Sequence, residues 1–194
     1  MIKAYAKTDI GQVREMNQDY YYISNSLDEV QLYILADGMG GYNAGEVASG
    51  IAVSVVSSEI RHYLEEARPE DKDAASGEDV AVMLLKTNVQ KANSSIFHAA
   101  HSQPQYAGMG TTIVSGLFYD NRVAVAHIGD SRMYRLRGEV FESITRDHSL
   151  LQEQIDSGMI SAGRNTEGIR RTSSRFRPAS PSETVSARAI IRSG

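Results

Sequence analysis

The chain has 194 residues, 41% hydrophobic and 23% charged, with a formal net charge of -4, a composition that suits one globular domain with a core of its own. No basic stripe interleaved with aromatics runs through the body, which argues against nucleic acid as a partner. There is no cysteine, which removes disulfides, thiolate metal sites and a thiol nucleophile together, and the sequence has neither a leader pattern nor an apolar run near membrane-spanning length; a cytoplasmic protein without a membrane partner is expected.

Residues 2–7 alternate apolar and polar positions (Ile2, Ala4, Ala6), so a first strand is predicted, then a turn at Asp9-Ile10-Gly11 and a second strand over residues 20–24. Residues 30–36 (VQLYILA) read as a buried strand that empties into a glycine-rich loop, Asp37-Gly38-Met39-Gly40-Gly41. Val47, Ile51, Val55, Ile60 and Leu64 recur at helical spacing and predict a long helix over 43–67. After a charged connection at 68–79, Val82, Leu85, Val89, Ala92, Ile96 and Ala99 predict a second helix that ends before Pro104. Three strands are expected next, at 110–119, 122–128 and 133–136, with Asp120-Asn121 as a tight hairpin turn and Arg137-Gly138-Glu139 as another. Asp147 or Ser149 can cap a short helix through Gln154.

Beyond Gly163 the character changes. Residues 164–194 hold seven arginines, no lysine, six serines, two prolines and two acids, a composition that buries too little apolar surface to offset chain entropy. A disordered or non-native tail is expected there.

Three segments bring carboxylates, arginine and glycine together at strand ends: residues 8–19, residues 36–41, and His127-Ile128-Gly129-Asp130-Ser131-Arg132. Aspartates beside glycine suit a hard divalent cation, because the carboxylates supply charge and glycine lets a backbone carbonyl approach. An arginine beside such a site suits phosphate, since its planar fork matches two phosphate oxygens. Taken singly, Asp9 or Asp19 is an ordinary turn former, Asp37 a loop aspartate and Arg14 a solvated surface residue; their grouping is what points to a site. The five histidines lack the paired spacing of a zinc helix and read as structural or surface residues. No nucleophile elbow frames Ser131 and no Walker-type loop occurs, which disfavours serine hydrolases and nucleoside triphosphatases.

Residues 8–19 resemble the opening motif of the PPM (type 2C) metal-dependent serine/threonine phosphatases, serine-aspartate-x-glycine-x-x-arginine-x-x-asparagine-glutamate-aspartate, with Thr8 and Gln18 departing at the serine and glutamate positions. Asp37-Gly38-Met39-Gly40-Gly41 is similar to the motif of the family's bacterial branch. Gly108-Met109-Gly110-Thr111-Thr112, Gly129-Asp130-Ser131-Arg132 and Thr145-Arg146-Asp147-His148-Ser149 resemble three more, in the family's order. The resemblance implies an α+β fold, two antiparallel sheets face to face flanked by helix pairs (α-β-β-α). It implies hydrolysis of phosphoserine and phosphothreonine in proteins by a metal-activated water without a covalent phosphoenzyme, in a monomer opposing a bacterial serine/threonine kinase. Carried over by position, Asp37 would bridge two manganese or magnesium ions, Gly38 would offer its carbonyl, Asp19 would hold metal-bound water, Arg14 would clamp the phosphate and Asp130 would hold a third ion. Met39 stands where some eukaryotic relatives place a histidine as candidate general acid.

The family's later aspartate-glycine and glycine-x-x-aspartate-asparagine motifs do not occur, and Asp156 is the only aspartate after Asp147. The expectation is therefore an incomplete phosphatase domain over 1–163, its C-terminal strands missing, followed by the tail at 164–194. The alternative reading is a catalytically dead phosphatase-like binding module or an inactive truncated fragment.

Overall fold

Alternating burial assembles the main sheet. In the computed structural model, which describes residues 3–24, 30–40, 44–148 and the backbone of 186–191, strand β2 (Gln31–Met39) buries Leu32, Ile34 and Ala36 on one face and turns Tyr33, Leu35 and Asp37 to the other. β1 (Asp19–Ile23) pairs with it antiparallel. After the helices, β3 (Gly110–Thr111) pairs with the end of β2, while β4 (Ile113–Tyr119) and β5 (Arg122–Ile128) complete the centre. The strand order is β1-β2-β4-β5, every pairing antiparallel. β4 and β5 meet at Asp120-Asn121, both in the left-handed region at φ 38 and 54, as a two-residue hairpin turn requires.

Helix α1 (Ala44–Tyr63) lies across β1, β2 and β3, and α2 (Val80–Ser102) lies across β4 and β5 and against α1. Both cover the same sheet face. The buried side of α1 is made of small residues (Ala44, Gly45, Ala48, Ser49, Ala52), followed by Val53, Val56 and Ile60, so the start of the helix can approach the sheet closely. Leu85, Val89, Ala92 and Ile96 of α2 join Leu117, Ala124 and Ala126 in the same core.

Several expectations are corrected. Residues 3–8 are exposed and form no strand; Tyr5 to Thr8 line the same trough as β1 without entering its ladder. Asp37, Gly38 and Met39, expected in a loop, are the last residues of β2, since Asp19 and β3 pair with them there. α1 ends at Tyr63, with turns over 64–66. The expected strand at 110–119 divides into β3 and β4 at Thr112. β6 (Tyr134–Arg137) pairs with a strand that the sequence reading passed over, β7 (Val140–Ser143), across the expected turn. Within the segment expected as the tail, the backbone of β8 (Ser186–Ile191) runs antiparallel along the edge of β5, whose backbone groups would otherwise stand unpaired there. The short helix expected to follow Asp147 and the remainder of the tail fall outside the described residues.

The sheet's second face carries Tyr21, Ile23, Tyr33, Leu35 and Val114 beside an open trough of about 450 Å3 that Arg132, Met133 and Tyr134 also line. Among the described residues no helix is long and apolar enough to cross a membrane.

Candidate metal and phosphate site

Register places the two leading acids together. Asp19 opens β1 and stands directly opposite Asp37 of β2, and directly opposed residues of an antiparallel pair carry their Cβ atoms roughly 5 Å apart on the same face. Two carboxylates so placed repel. Burial pushes the Asp37 carboxyl above the ordinary carboxylate range, the Asp19 charge and a hydrogen bond shared with it push it further, and Asp130 adds to the rise while Arg14 opposes it. Asp130 lies just past β5 and is exposed, as is Arg14 in the turn region before β1. The charges of Asp19, Asp130 and Arg14 are thus all felt at Asp37, at the end of the central strands.

A concentration of like charge at a strand end is unfavourable by itself and becomes favourable when a divalent cation occupies it. The donors are oxygens only, which fits magnesium or manganese rather than a soft metal. Among the described residues no three acids or histidines are grouped closely enough to hold an ion, so Asp19 and Asp37 are a pair that a full coordination shell would have to extend.

Gly38 explains the close approach of helix to strand. A Cβ on it would lie 2.1 Å from the Gly45 carbonyl oxygen and 2.6 Å from that of Gln18, and one on Gly45 would lie 2.8 Å from the Gln18 side chain. No larger residue fits at either position without moving backbone. The Gln18 carbonyl in turn accepts the Gly38 N–H at 3.1 Å and the Ser49 hydroxyl at 2.6 Å. The start of α1 and the residue before Asp19 therefore clasp the backbone immediately after Asp37.

On the other side, Thr112 holds Asp37 itself. Its N–H donates to the Asp37 carbonyl at 2.9 Å and its Oγ1 accepts the Asp37 N–H at 3.2 Å, while the Thr111 hydroxyl donates to the same carbonyl at 3.0 Å. Thr111 and Thr112 belong to the Gly108–Thr112 motif, which by itself names no task for them, and Gly45 and Ser49 belong to none of the motifs. The signal available was the clustering of small and hydroxyl residues beside the acids.

The fourth and fifth motifs turn out to be one structure. Arg132 forks onto Asp147, Nε to Oδ1 at 2.7 Å and Nη2 to Oδ2 at 2.5 Å, which commits those two donors, while Arg14 is the arginine whose charge is felt at Asp37. The His127 ring meets the Arg146 carbonyl at 2.7 Å and stacks against His148 at 4.5 Å, and the His148 N–H donates to the Gly129 carbonyl at 2.9 Å. These two histidines act as structural residues, as expected.

Residues 11–162 match the family model described as Protein phosphatase 2C. The chain is 37% identical over 155 residues to the serine/threonine phosphatase stp of Listeria innocua serovar 6a, covering 80% of this chain and 58% of that protein. Its fold superposes on the serine/threonine phosphatase Stp1 from Staphylococcus aureus with a TM-score of 0.70 at 31% identity, covering 96% of this chain and 69% of that one. It also superposes on the catalytic domain of the serine/threonine protein phosphatase PstP in complex with two manganese ions, with a TM-score of 0.62 at 35% identity, covering 80% and 60%. The chain thus spans 58% of the length of the Listeria protein that it matches.

Proposed function

This chain belongs to the protein phosphatase 2C family, and from that premise we propose that it forms the larger part of a metal-dependent phosphatase acting on phosphoserine and phosphothreonine in proteins. The observation that carries the reading is the opposition of Asp19 and Asp37 at one strand end, with Asp130 and Arg14 both within electrostatic reach. Asp37 and Asp19 would hold a pair of manganese or magnesium ions together with the Gly38 carbonyl, and Asp130 would serve a third. Bound ions would supply the acidity and positive charge that phosphate-ester hydrolysis needs. Arg14 would bind and orient the phosphate through its planar fork. The tight backbone clasp around Gly38 keeps the two carboxylates from spreading apart when they are unneutralised. The relative captured with two manganese ions supports this choice of cofactor. The substrates are phosphorylated proteins of the cytoplasm, with a serine/threonine kinase as the opposing activity.

A second reading, a phosphatase-like module that binds without turnover, is favoured by the lack of a third grouped acid among the described residues. The two separate in one experiment: hydrolysis of a phosphothreonine peptide with excess manganese, by this chain and by a version extended with the C-terminal part of a relative. Turnover that needs manganese, is abolished in Asp37→Asn and shows a raised KM with nearly unchanged kcat in Arg14→Ala supports the first reading. Manganese binding in both proteins with turnover in neither supports the second.

A further inference from the structure

Thr112 sits at the break between β3 and β4, is 2% exposed, and touches more than the strand that bears Asp37. Its Oγ1 stands 2.6 Å from the Ser131 hydroxyl, and Ser131 directly follows Asp130. Gly129, at φ 98, turns the same loop so closely over Thr112 that a Cβ there would meet the threonine Cγ2 at 2.8 Å. The loop carrying Asp130 is therefore seated on Thr112. A hydroxyl has two lone pairs and one proton; one lone pair of Thr112 Oγ1 takes the Asp37 N–H, and the Ser131 hydroxyl uses the remaining capacity. One buried hydroxyl thus ties together the backbones of two acids that no element joins directly.

We propose that Thr112 and Ser131 are positioning residues, a hydroxyl pair that locks the Asp130 loop to the Asp37 strand and so sets the spacing of the carboxylates that receive a divalent cation. This rests on the metal reading of the site given above. Without the pair, the loop keeps only its ties to the following segment, the His148 N–H on the Gly129 carbonyl and the Arg132–Asp147 fork, none of which reaches the Asp37 strand, and repulsion between Asp130 and the Asp19–Asp37 pair lets it relax outward.

The test uses the full chain with Thr112→Val, which keeps the shape and removes the hydroxyl, Thr112→Ser, which keeps the hydroxyl, and Ser131→Ala. Manganese affinity is measured by calorimetry, and exchange of the Asp37 amide hydrogen by NMR in the absence of metal. Ser131→Ala should weaken manganese binding roughly 3- to 10-fold, the scale of one lost hydrogen bond; Thr112→Val, which also removes the acceptor of the Asp37 N–H, should weaken it at least as much, and Thr112→Ser should bind like the parent. The double variant should lose no more than Thr112→Val alone, because that change already removes the bond Ser131 makes. Ser131→Ala, which has no direct contact with the Asp37 amide, should still speed its exchange several-fold. A merely packed methyl would give the reverse order, Thr112→Ser damaging and Thr112→Val harmless, and would overturn the proposal, as would unchanged Asp37 exchange in Ser131→Ala. A parent chain that takes up no manganese would sink the metal reading, and the exchange measurement would then decide alone on the hydroxyl lock.

Discussion

At the scale of single residues the site is held against its own electrostatics. Asp37 has its carboxyl raised by burial and by Asp19 and Asp130, so folding favours its neutral form. A carboxyl whose folded value lies above its unfolded value is least unfavourable to the fold at acid pH, and it costs stability as pH rises from the unfolded value through the folded one. At neutral pH without metal, Asp37→Asn should therefore stabilise the protein. For a carboxylate this exposed the gain is about 0.2–1 kcal/mol after solvent screening, or about 0.4–4 °C in melting temperature for a chain of this size. The difference should shrink as pH falls below the ordinary carboxylate range. Thermal melts of both proteins at pH 3.5 and 7 check this; a destabilised Asp37→Asn at pH 7 would contradict it. The sequence showed which acids were present, and of these Asp19 and Asp37 stand opposite each other, with the charges of Asp130 and Arg14 felt at Asp37. It did not show Thr112 or Gly45, because their contacts depend on a close approach that no local spacing encodes.

At the scale of elements, α2 is anchored by a carboxylate used in an uncommon way. Asp79 occupies the N-cap position but makes no side-chain cap bond. Its Oδ1 takes Lys72 at 2.6 Å, and its Oδ2 takes the Tyr119 hydroxyl at 2.9 Å and Arg122 at 3.2 Å. The helix start is thereby fixed to both sides of the β4–β5 turn. The hydrogen bond from Lys72 leads in holding the Asp79 carboxyl below its usual range, with those from Tyr119 and Arg122 adding to it against the opposing effect of burial. Because the folded value is depressed, the stabilisation is present above the unfolded carboxylate value and is lost as pH falls through the folded one. Asp79→Ala should cost about 1–3 kcal/mol, the penalty for leaving a buried donor without its partner, and should flatten the acid limb of the stability curve. Urea titrations between pH 3 and 7 would show it; a parallel acid limb in parent and variant would remove Asp79 from that role. Both helices were legible from their apolar period, and α2 extends a little past the predicted positions at each end. β7 was not, since Val140-Phe141-Glu142-Ser143 is short and mostly exposed, and four residues give an alternation signal too weak to separate from a turn.

At the scale of the whole molecule, among the described residues one sheet face is covered by helices and the other is partly bare. Leu35 is 45% exposed on that face, and in the β6–β7 hairpin Leu136 is 68% and Phe141 65% exposed, with Phe141 stacked on Tyr134 at 5.0 Å. Register puts Leu136 opposite Phe141 on one side of the ribbon, so the apolar groups form a patch. Contiguous exposed apolar surface drives association, and sedimentation velocity should show concentration-dependent self-association. Replacing both residues (Leu136→Lys with Phe141→Lys) should reduce it several-fold without loss of helical signal. Equal association by the double variant would assign the effect to another surface.

What the sequence determined by itself were the properties carried by neighbours in the chain: the helical periods of α1 and α2, the tight Asp120-Asn121 turn and the motif string that resembles a phosphatase family. What the tertiary structure alone decided were the meetings between distant residues. Asp19 faces Asp37 because of strand register, Arg132 is committed to Asp147 rather than standing free, and the Asp37 amide is held by a threonine 75 residues away in sequence. Register and close packing are set by the simultaneous fit of the whole sheet and its helices, so a local pattern can name the participants of such a site but not their distances.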